Sequence, residues 1–314
     1  MGRTVLINKL KLTTSNVEEN NIVLQEISGQ LYVNNHLVLT SNNIGDSSNI
    51  TSIESDITTL QSDVSTLQSS SSSSEESSFS NSYSVILDKT NDYIGVASGL
   101  NPGLDAYSLS LWFKPSSTIT SSYVGTLVGG LTNVYGGIRI GMGSGRVIEY
   151  NDGVTYIAAG DVTSVDTNWH HIALVYVDSG YTTTNGTASA NGKGYKIFLD
   201  GNRVDTTLGS TTRNFALGQT TNKFKIGREG ERTIYYFGGG VDELAIFGSS
   251  LSDSDVNDIY YSGVPTDLTS YSPTLWWRMG DNDSGAGTTI TDQGSGSNDG
   301  ELVNGPTFSS STPS

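Results

Sequence analysis

From Tyr83 onward the chain is a succession of short segments rich in β-branched and aromatic residues, cut by Gly, Asn and Asp. Tyr83 to Leu87, Tyr107 to Phe113, Ile138 to Met142, Arg146 to Tyr150, His171 to Val177, Tyr195 to Leu199, Lys223 to Ile226 and Val241 to Phe247 all read this way. Each is the length of one strand, and turn chemistry follows each. Strands with a face to bury stack as two sheets, so this pattern predicts an all-β antiparallel sandwich of the jelly-roll kind. The one helical stretch in this part is Leu251 to Tyr261. Ser252 can cap it with Asp255 at N3, and Gly263 and Pro265 stop it. The 37 glycines, about 12% of 314 residues against a usual 7% or so, fit a turn-rich chain.

A different periodicity precedes the strands. Ile50, Ile53, Ile57, Leu60, Val64 and Leu67 alternate at spacings of three and four, an unbroken a/d heptad pattern. Asn49 is a candidate N-cap. The other positions are mostly Ser, Thr, Asp and Gln, which are mediocre helix formers. A helix of roughly 27 Å at 1.5 Å per residue and of that composition should not hold alone in water. It makes sense as a short parallel coiled coil, and the six seam residues are the oligomerisation contacts. Ile at both a and d in the first heptad leans to a trimer, Val64 with Leu67 to a dimer. The bland alternative is an amphipathic helix packed on a globular domain.

These patterns divide the chain. Residues 1–45 form a small β-rich anchoring region, with strands expected at Thr4–Leu12, Asn21–Ile27 and Leu31–Thr40 and turns at Ser28-Gly29-Gln30 and Asn34-Asn35. Residues 46–70 are the stalk. Residues 71–80 begin in the run Ser69 to Ser74 and read as a linker. Residues 81–314 are the head. No Lys or Arg occurs between Lys11 and Lys89, so the stalk is acidic and polar apart from its seam.

Composition removes whole classes of function. There is no Cys, so disulfides, thiolate zinc sites and cysteine nucleophiles are out. Sixteen Lys and Arg against 32 Asp and Glu give a net charge of −16, which opposes non-specific binding to nucleic acid or anionic lipid. No run approaches the ~18 apolar residues of a membrane span, and Met1 to Leu12 lacks the pattern of a secretory signal.

Several head segments, in order, carry a resemblance. Tyr83–Ile94 is similar to an opening strand pair. Leu109-Ser-Leu-Trp112-Phe113-Lys114-Pro115 is similar to a "strand W-x-K-P" element. Asn168-Trp169-His170-His171-Ile172-Ala173 is similar to a "W-H-H-I-A" strand, and Lys196–Asn202 to the hairpin after it. Phe237–Ile246 followed by Leu251–Tyr260 is similar to a "G-x-I-D-E" strand and closing helix. Over residues 83–264 the chain resembles the concanavalin A-like lectin/glucanase superfamily in its laminin-G-like branch. That resemblance implies two antiparallel sheets and, often, a carbohydrate- or protein-binding role. Tyr271–Phe308, with Trp276-Trp277 and Asp281, resembles what usually begins such a domain, yet here it comes last. Either it folds back to complete the same sandwich or it caps a neighbouring chain. In both cases Trp276 and Trp277 should be buried on opposite faces of a strand. The layout of β-rich start, heptads, serine linker and jelly-roll head resembles fibre and appendage proteins of tailed bacteriophages.

The chemistry of a hydrolase is not legible. Glucanases of the superfamily place acids at i, i+2 and i+5 on one strand so that the carboxylates share a cleft. Asp242 and Glu243 are adjacent, and in a regular strand they point to opposite faces. His170 and His171 alternate likewise, poor geometry for one metal. No Gly-x-Ser-x-Gly elbow or phosphate loop occurs. Calcium is the better metal candidate, because it favours carboxylate and carbonyl oxygens; Asp88, Asp92, Asp242, Asp281, Asp283 and Asp292 are the candidate ligands. For stacking on sugars, Tyr123, Tyr135, Tyr181, Tyr235 and Tyr236 lie near turns, and nothing singles one out. The expectation is therefore a non-enzymatic virion protein assembled in a host cytoplasm. It is a homo-oligomer, a trimer in preference to a dimer, attached to other virion proteins through residues 1–45. Its head would bind a host-surface glycan or decorate the particle. The competing readings are a glycan-cleaving enzyme and a cellular adhesin.

Overall fold

A computed structural model describes residues 24–27, 30–33, 36–39, 62, 79–96, 107–131, 136–142, 145–151, 156–209, 224–230 and 232–314. It divides into two compact units, Met1–Ser77 and Ser78–Ser314.

In the first unit, β1 (Leu24–Ile27), β2 (Gln30–Val33) and β3 (His36–Leu39) form an antiparallel sheet in that order. The expected strands at 21–27 and 31–40 are found in shortened form, the second broken at Asn34-Asn35 where turn chemistry was read. The expected strand at 4–12 lies outside the described residues. So do the seam residues Ile50, Ile53, Ile57, Leu60, Val64 and Leu67. Of the stalk, Ser62 is described; it is helical and exposed.

The second unit is a two-sheet antiparallel sandwich. From edge to edge the nine-stranded sheet runs β14 (Thr207–Leu208), β10 (Tyr156–Ala158), β9 (Ile148–Asn151), β8 (Gly137–Ile140), β7 (Gly125–Gly129), β15 (Lys225–Ile226), β5 (Tyr93–Val96), β19 (Gly300–Val303) and β18 (Thr289–Ile290). The eight-stranded sheet runs β13 (Asn202–Arg203), β12 (Gly194–Leu199), β11 (His170–Val177), β6 (Ser108–Pro115), β16 (Gly238–Phe247), β4 (Ser84–Asp88) and β20 (Thr307–Ser309), with β17 (Leu275–Trp277) also paired to β16. The expected strands are present within a few residues of their predicted ends. The strands β7, β10, β13, β14, β18, β19 and β20 were not predicted; β13, β14 and β18 are two residues long, too brief for period-two alternation to register.

Alternation along each strand sends one set of side chains between the sheets. Leu109, Leu111, Phe113, Ile172, Leu174, Val241, Leu244 and Ile246 come from one sheet, and Ile94, Val128, Ile138, Ile140, Ile148, Tyr150, Ile157 and Ile226 from the other. A second, smaller cluster lies on the outer face of the eight-stranded sheet. There Ala173, Val175, Phe198, Ala245 and Phe247 meet Trp276 and the buried face of α1 (Asp253–Tyr260), through Val256 and Ile259. The helix begins as read: the Ser252 hydroxyl accepts from Asp255 N–H, and the Asp255 carboxylate accepts from Ser252 N–H.

The C-terminal segment folds back on its own chain. β17 pairs with β16, β19 with β5, and β20 with β4, so residues 275–309 contribute to both sheets. Trp277 enters the inter-sheet core and Trp276 the outer cluster, one on each face as expected.

Candidate functional site

The two outer faces of the sandwich carry different chemistry. On the eight-stranded sheet the strand β16 contains a register shift between Asp242 and Ala245, and Glu243 takes a left-handed φ of 45°. This bulge overturns the expectation that Asp242 and Glu243 point apart. Both carboxyls are fully buried in one polar cluster. Glu243 Oε2 accepts from Trp276 Nε1 at 2.6 Å, and Oε1 from Arg278 Nε at 3.0 Å. Asp242 Oδ2 accepts from Asn81 Nδ2 at 3.0 Å. Burial pushes Glu243 up to about 7 against the pull of Arg278 and Trp276. Burial, with Glu243 beside it, pushes Asp242 well above the ordinary carboxylate range. The two carboxyls titrate as a pair, with Arg278 and Trp276 favouring the charged form of Glu243. Residues 79–82 close this cluster: Phe79 stacks on Trp276, Ser80 O accepts from Arg278 Nη2, and Ser82 N–H donates to Asp281 Oδ1 at 2.8 Å. These hydrogen bonds tie β16, β17 and residues 79–82 together.

The nine-stranded sheet presents the opposite arrangement. Because Ile94, Ile226, Leu127, Ile138, Ile148 and Ile157 point inward, their neighbours Tyr93, Lys225, Thr126, Arg139, Glu149 and Tyr156 point outward; a register shift between Thr126 and Val128 brings Val128 into the core as well. Thr126 lies opposite Arg139, and Arg139 opposite Glu149, a row across three strands. The turn after β15 crosses this face. Gly227, at φ 94°, starts it. Gly129 below it has no side chain, and a Cβ there would sit 2.3 Å from Arg228 O, so the turn lies directly on β7. The turn delivers Glu229, fully buried between Arg139 and Arg232, and Arg228, whose guanidinium lies 4.1 Å from the Tyr93 ring centroid. At the far end Arg146 lies 4.5 Å over Tyr156 and 3.2 Å from Glu149 Oε2. Burial pushes Glu149 up, opposed by Arg146 and Arg139.

This face also collects unmet hydrogen-bonding capacity. Thr126 Oγ1, Arg146 Nε, Glu149 Oε2 and Arg228 Nε are all buried without a hydrogen-bond partner. Arg146 and Glu149 are close enough to attract but misaligned for a hydrogen bond. Native proteins leave few such atoms, and because none of these four has exposed surface, each is a place for an enclosed water or a small shift of its neighbours.

The sequence-predicted residues fall elsewhere. Asp88 Oδ1 accepts from the N–H groups of Thr90, Asn91 and Asp92, which hold its carboxyl below its usual range against burial. Asp92 Oδ2 accepts from Asp88 N–H. Asp281 is held by Ser82 and Arg278, Asp283 by Thr291, and Asp292 by the N–H groups of Trp276, Gly294 and Asn298. Asp242 is sealed in the cluster above. Their oxygens serve loops of this chain, and among the described residues no three His, Cys, Asp or Glu come together to hold a metal ion. Tyr123 and Tyr181 are buried, their hydroxyls donating to Gly238 O and Asp205 Oδ2. Tyr135 lies outside the described residues. Tyr235 and Tyr236 are half-buried beside Thr126. Of the histidines, His171 is buried against Ser110 Oγ at 2.8 Å and pushed down to about 4 by burial. His170 lies between Asp200 and Asp166, which together raise it against the effect of burial. Tyr93, Thr126, Glu149 and Arg228 were missed, because their shared face depends on strand order rather than on any local motif.

Comparison with known proteins bears on the fold. The family model Laminin_G_3, described as concanavalin A-like lectin/glucanases superfamily, matches residues 88–257. No curated protein matches the sequence. Among solved structures, a candidate carbohydrate-binding protein from Bacteroides ovatus ATCC 8483 is similar at 18% identity and a TM-score of 0.50, over 75% of this chain and 62% of that one. A heptameric SAP-like pentraxin from Limulus polyphemus aligns at 10% identity and 0.40, over 57% and 82%. Domain 4 of an extracellular GH43 arabinanase from Geobacillus stearothermophilus, in complex with arabinotriose, aligns at 20% and 0.37, over 56% and 76%. The chain thus spans less than two thirds of the Bacteroides protein, and at these identities the likeness is one of fold.

Proposed function

The chain belongs to the concanavalin A-like lectin/glucanases superfamily, and from that premise we propose that its head is a glycan-binding module without catalytic turnover. The single observation that carries this is the outer face of the nine-stranded sheet, where the half-buried rings of Tyr93 and Tyr156 lie beside the guanidinium nitrogens of Arg228 and Arg146. A sugar offers hydroxyls to such atoms and a flat C–H face to such rings. The head is carried by an oligomeric appendage of a tailed-phage virion, assembled in the host cytoplasm. The heptad seam Ile50 to Leu67, the serine linker and the order of the parts support that setting. Residues 1–45 attach it to other virion proteins.

A glycan array probed with the full chain tests the binding role, with retention on a defined oligosaccharide expected and loss of it in Tyr93→Ala. An array with no retained sugar overturns the reading. A solution mass of 33.3 kDa, that of one chain, overturns the oligomer. One observation favours cleavage as a second reading: Glu149, raised by burial, shares a face with Glu229. Both glutamates are engaged by arginines, which favours binding; release of reducing sugar that disappears in Glu149→Gln would reverse that choice.

A further inference from the structure

The whole chain holds two acidic residues for every basic one. On the outer face of the nine-stranded sheet that ratio reverses. Among the described residues, Arg139, Arg146, Lys225, Arg228 and Arg232 gather there against Glu149, Glu229 and Glu301. Two of the three acids are committed, Glu229 to Arg139 and Arg232 and Glu149 to Arg146, and Glu301 is exposed opposite Gly95. Arg228 has no carboxylate partner among the described residues. Its guanidinium rests on Tyr93, and its buried Nε makes no hydrogen bond. The backbone holds it there, since the Gly227 turn is seated on Gly129. The Tyr93 ring offsets part of the cost of a half-buried cation held without a counter-charge, and a carboxylate would offset more. A planar guanidinium fork matches a carboxylate in two parallel hydrogen bonds.

We propose that the glycan bound on this face is acidic: its sugars carry a carboxylate, which the Arg228 guanidinium receives while the Tyr93 ring, already covered on one side by that guanidinium, braces it. This rests on the glycan-binding reading above and names its ligand class. The carboxylate is the anchor. A nucleic-acid phosphate is the weaker alternative, since a chain of net charge −16 repels a polyanion at long range while a single carboxylate feels mainly its local partner.

The test titrates the full chain with trigalacturonate and sialyllactose, alongside their neutral counterparts, fully methyl-esterified trigalacturonate and lactose, a sulfated carrageenan oligosaccharide and a short single-stranded DNA. At least one carboxylated sugar should bind at least tenfold more tightly than its neutral counterpart, with affinity falling as salt rises. Arg228→Gln should lower that affinity at least tenfold at unchanged melting temperature, and Arg228→Lys should recover part of it. Lys196→Gln, on the other sheet beside Asp253, should change nothing. The ester comparison leaves the protein untouched, so it decides the point even if Arg228→Gln misfolds. Equal binding of neutral and acidic sugars overturns the acidic class and leaves glycan binding standing. Binding of the sulfated sugar or DNA alone overturns it as well. No binding of any sugar overturns both.

Discussion

On the eight-stranded sheet the outward residues Ala173, Val175, Phe198, Ala245 and Phe247 are roofed by α1 and by Trp276 with Phe79 stacked on it. On the nine-stranded sheet the outward residues are Tyr93, Lys225, Thr126, Arg139, Glu149 and Tyr156, and neither hydrophobic cluster reaches them. Both faces contain buried carboxylates. In the first, Asp242 and Glu243 are closed in by Asn81, Trp276 and Arg278. In the second, Glu149 and Thr126 keep unmatched oxygens. A sandwich needs its inner core for stability and can spend its outer faces freely. Here one carries a third layer and the other a row of charged and aromatic side chains.

The largest expected effect breaks the comparison if it fails. Trp276→Ala removes a ring from the third layer and the donor to Glu243, and should cost about 3–5 kcal/mol by chemical denaturation. Tyr93→Ala, on the open face, should cost far less while abolishing glycan retention. Comparable losses from both would mean that the two faces are equally structural.

A smaller effect sharpens it through pH. Glu243 and Asp242 are raised in the folded state, so the native chain binds more protons than the unfolded one between the ordinary carboxylate range and about 7. Their contribution to stability is greatest at low pH and is lost as pH rises through that window. Asp242→Asn should flatten the slope and raise stability above pH 7, read from melting temperatures across pH 5 to 8. His171, pushed down to about 4, gives the opposite slope below pH 6.5 and should be unaffected by the substitution. The smallest effect concerns calcium. Because the carboxylates of Asp88, Asp92, Asp281, Asp283 and Asp292 serve the chain's own donors, a chelator should leave the melting temperature unchanged. A clear drop would show an ion bound at one of them.

What was legible in the sequence followed from local rules. Ser252 and Asp255 announce a capping box, and the box is there. Trp276 and Trp277 announce a strand with two buried faces, and both are buried on opposite sides. Asp242 and Glu243 were misread because the alternation rule presumes a regular strand, and one left-handed residue at 243 cancels it. Nothing in the residue types around 243 signals that bulge. The polar face was invisible for another reason. Tyr93, Thr126, Glu149 and Arg228 belong to separate strands and turns, and only the order β9-β8-β7-β15-β5 makes them neighbours. Sheet order is a property of the closed core, and no short window of sequence contains it.

The strand β4 lies between β16 and β20, with Val85 opposite both Val241 and Phe308. The first strand of the head thus gains its two neighbours only from segments far along the chain. Each pairing closes a long loop before it is rewarded, so such a sheet assembles late and slowly, as do other domains dominated by non-local contacts. During synthesis β4 emerges early with both edges bare, an invitation to mispair with the same strand of a nearby copy. Holding neighbouring copies in register while they wait is a service that the proposed oligomeric stem would render, quite apart from anything it does afterwards.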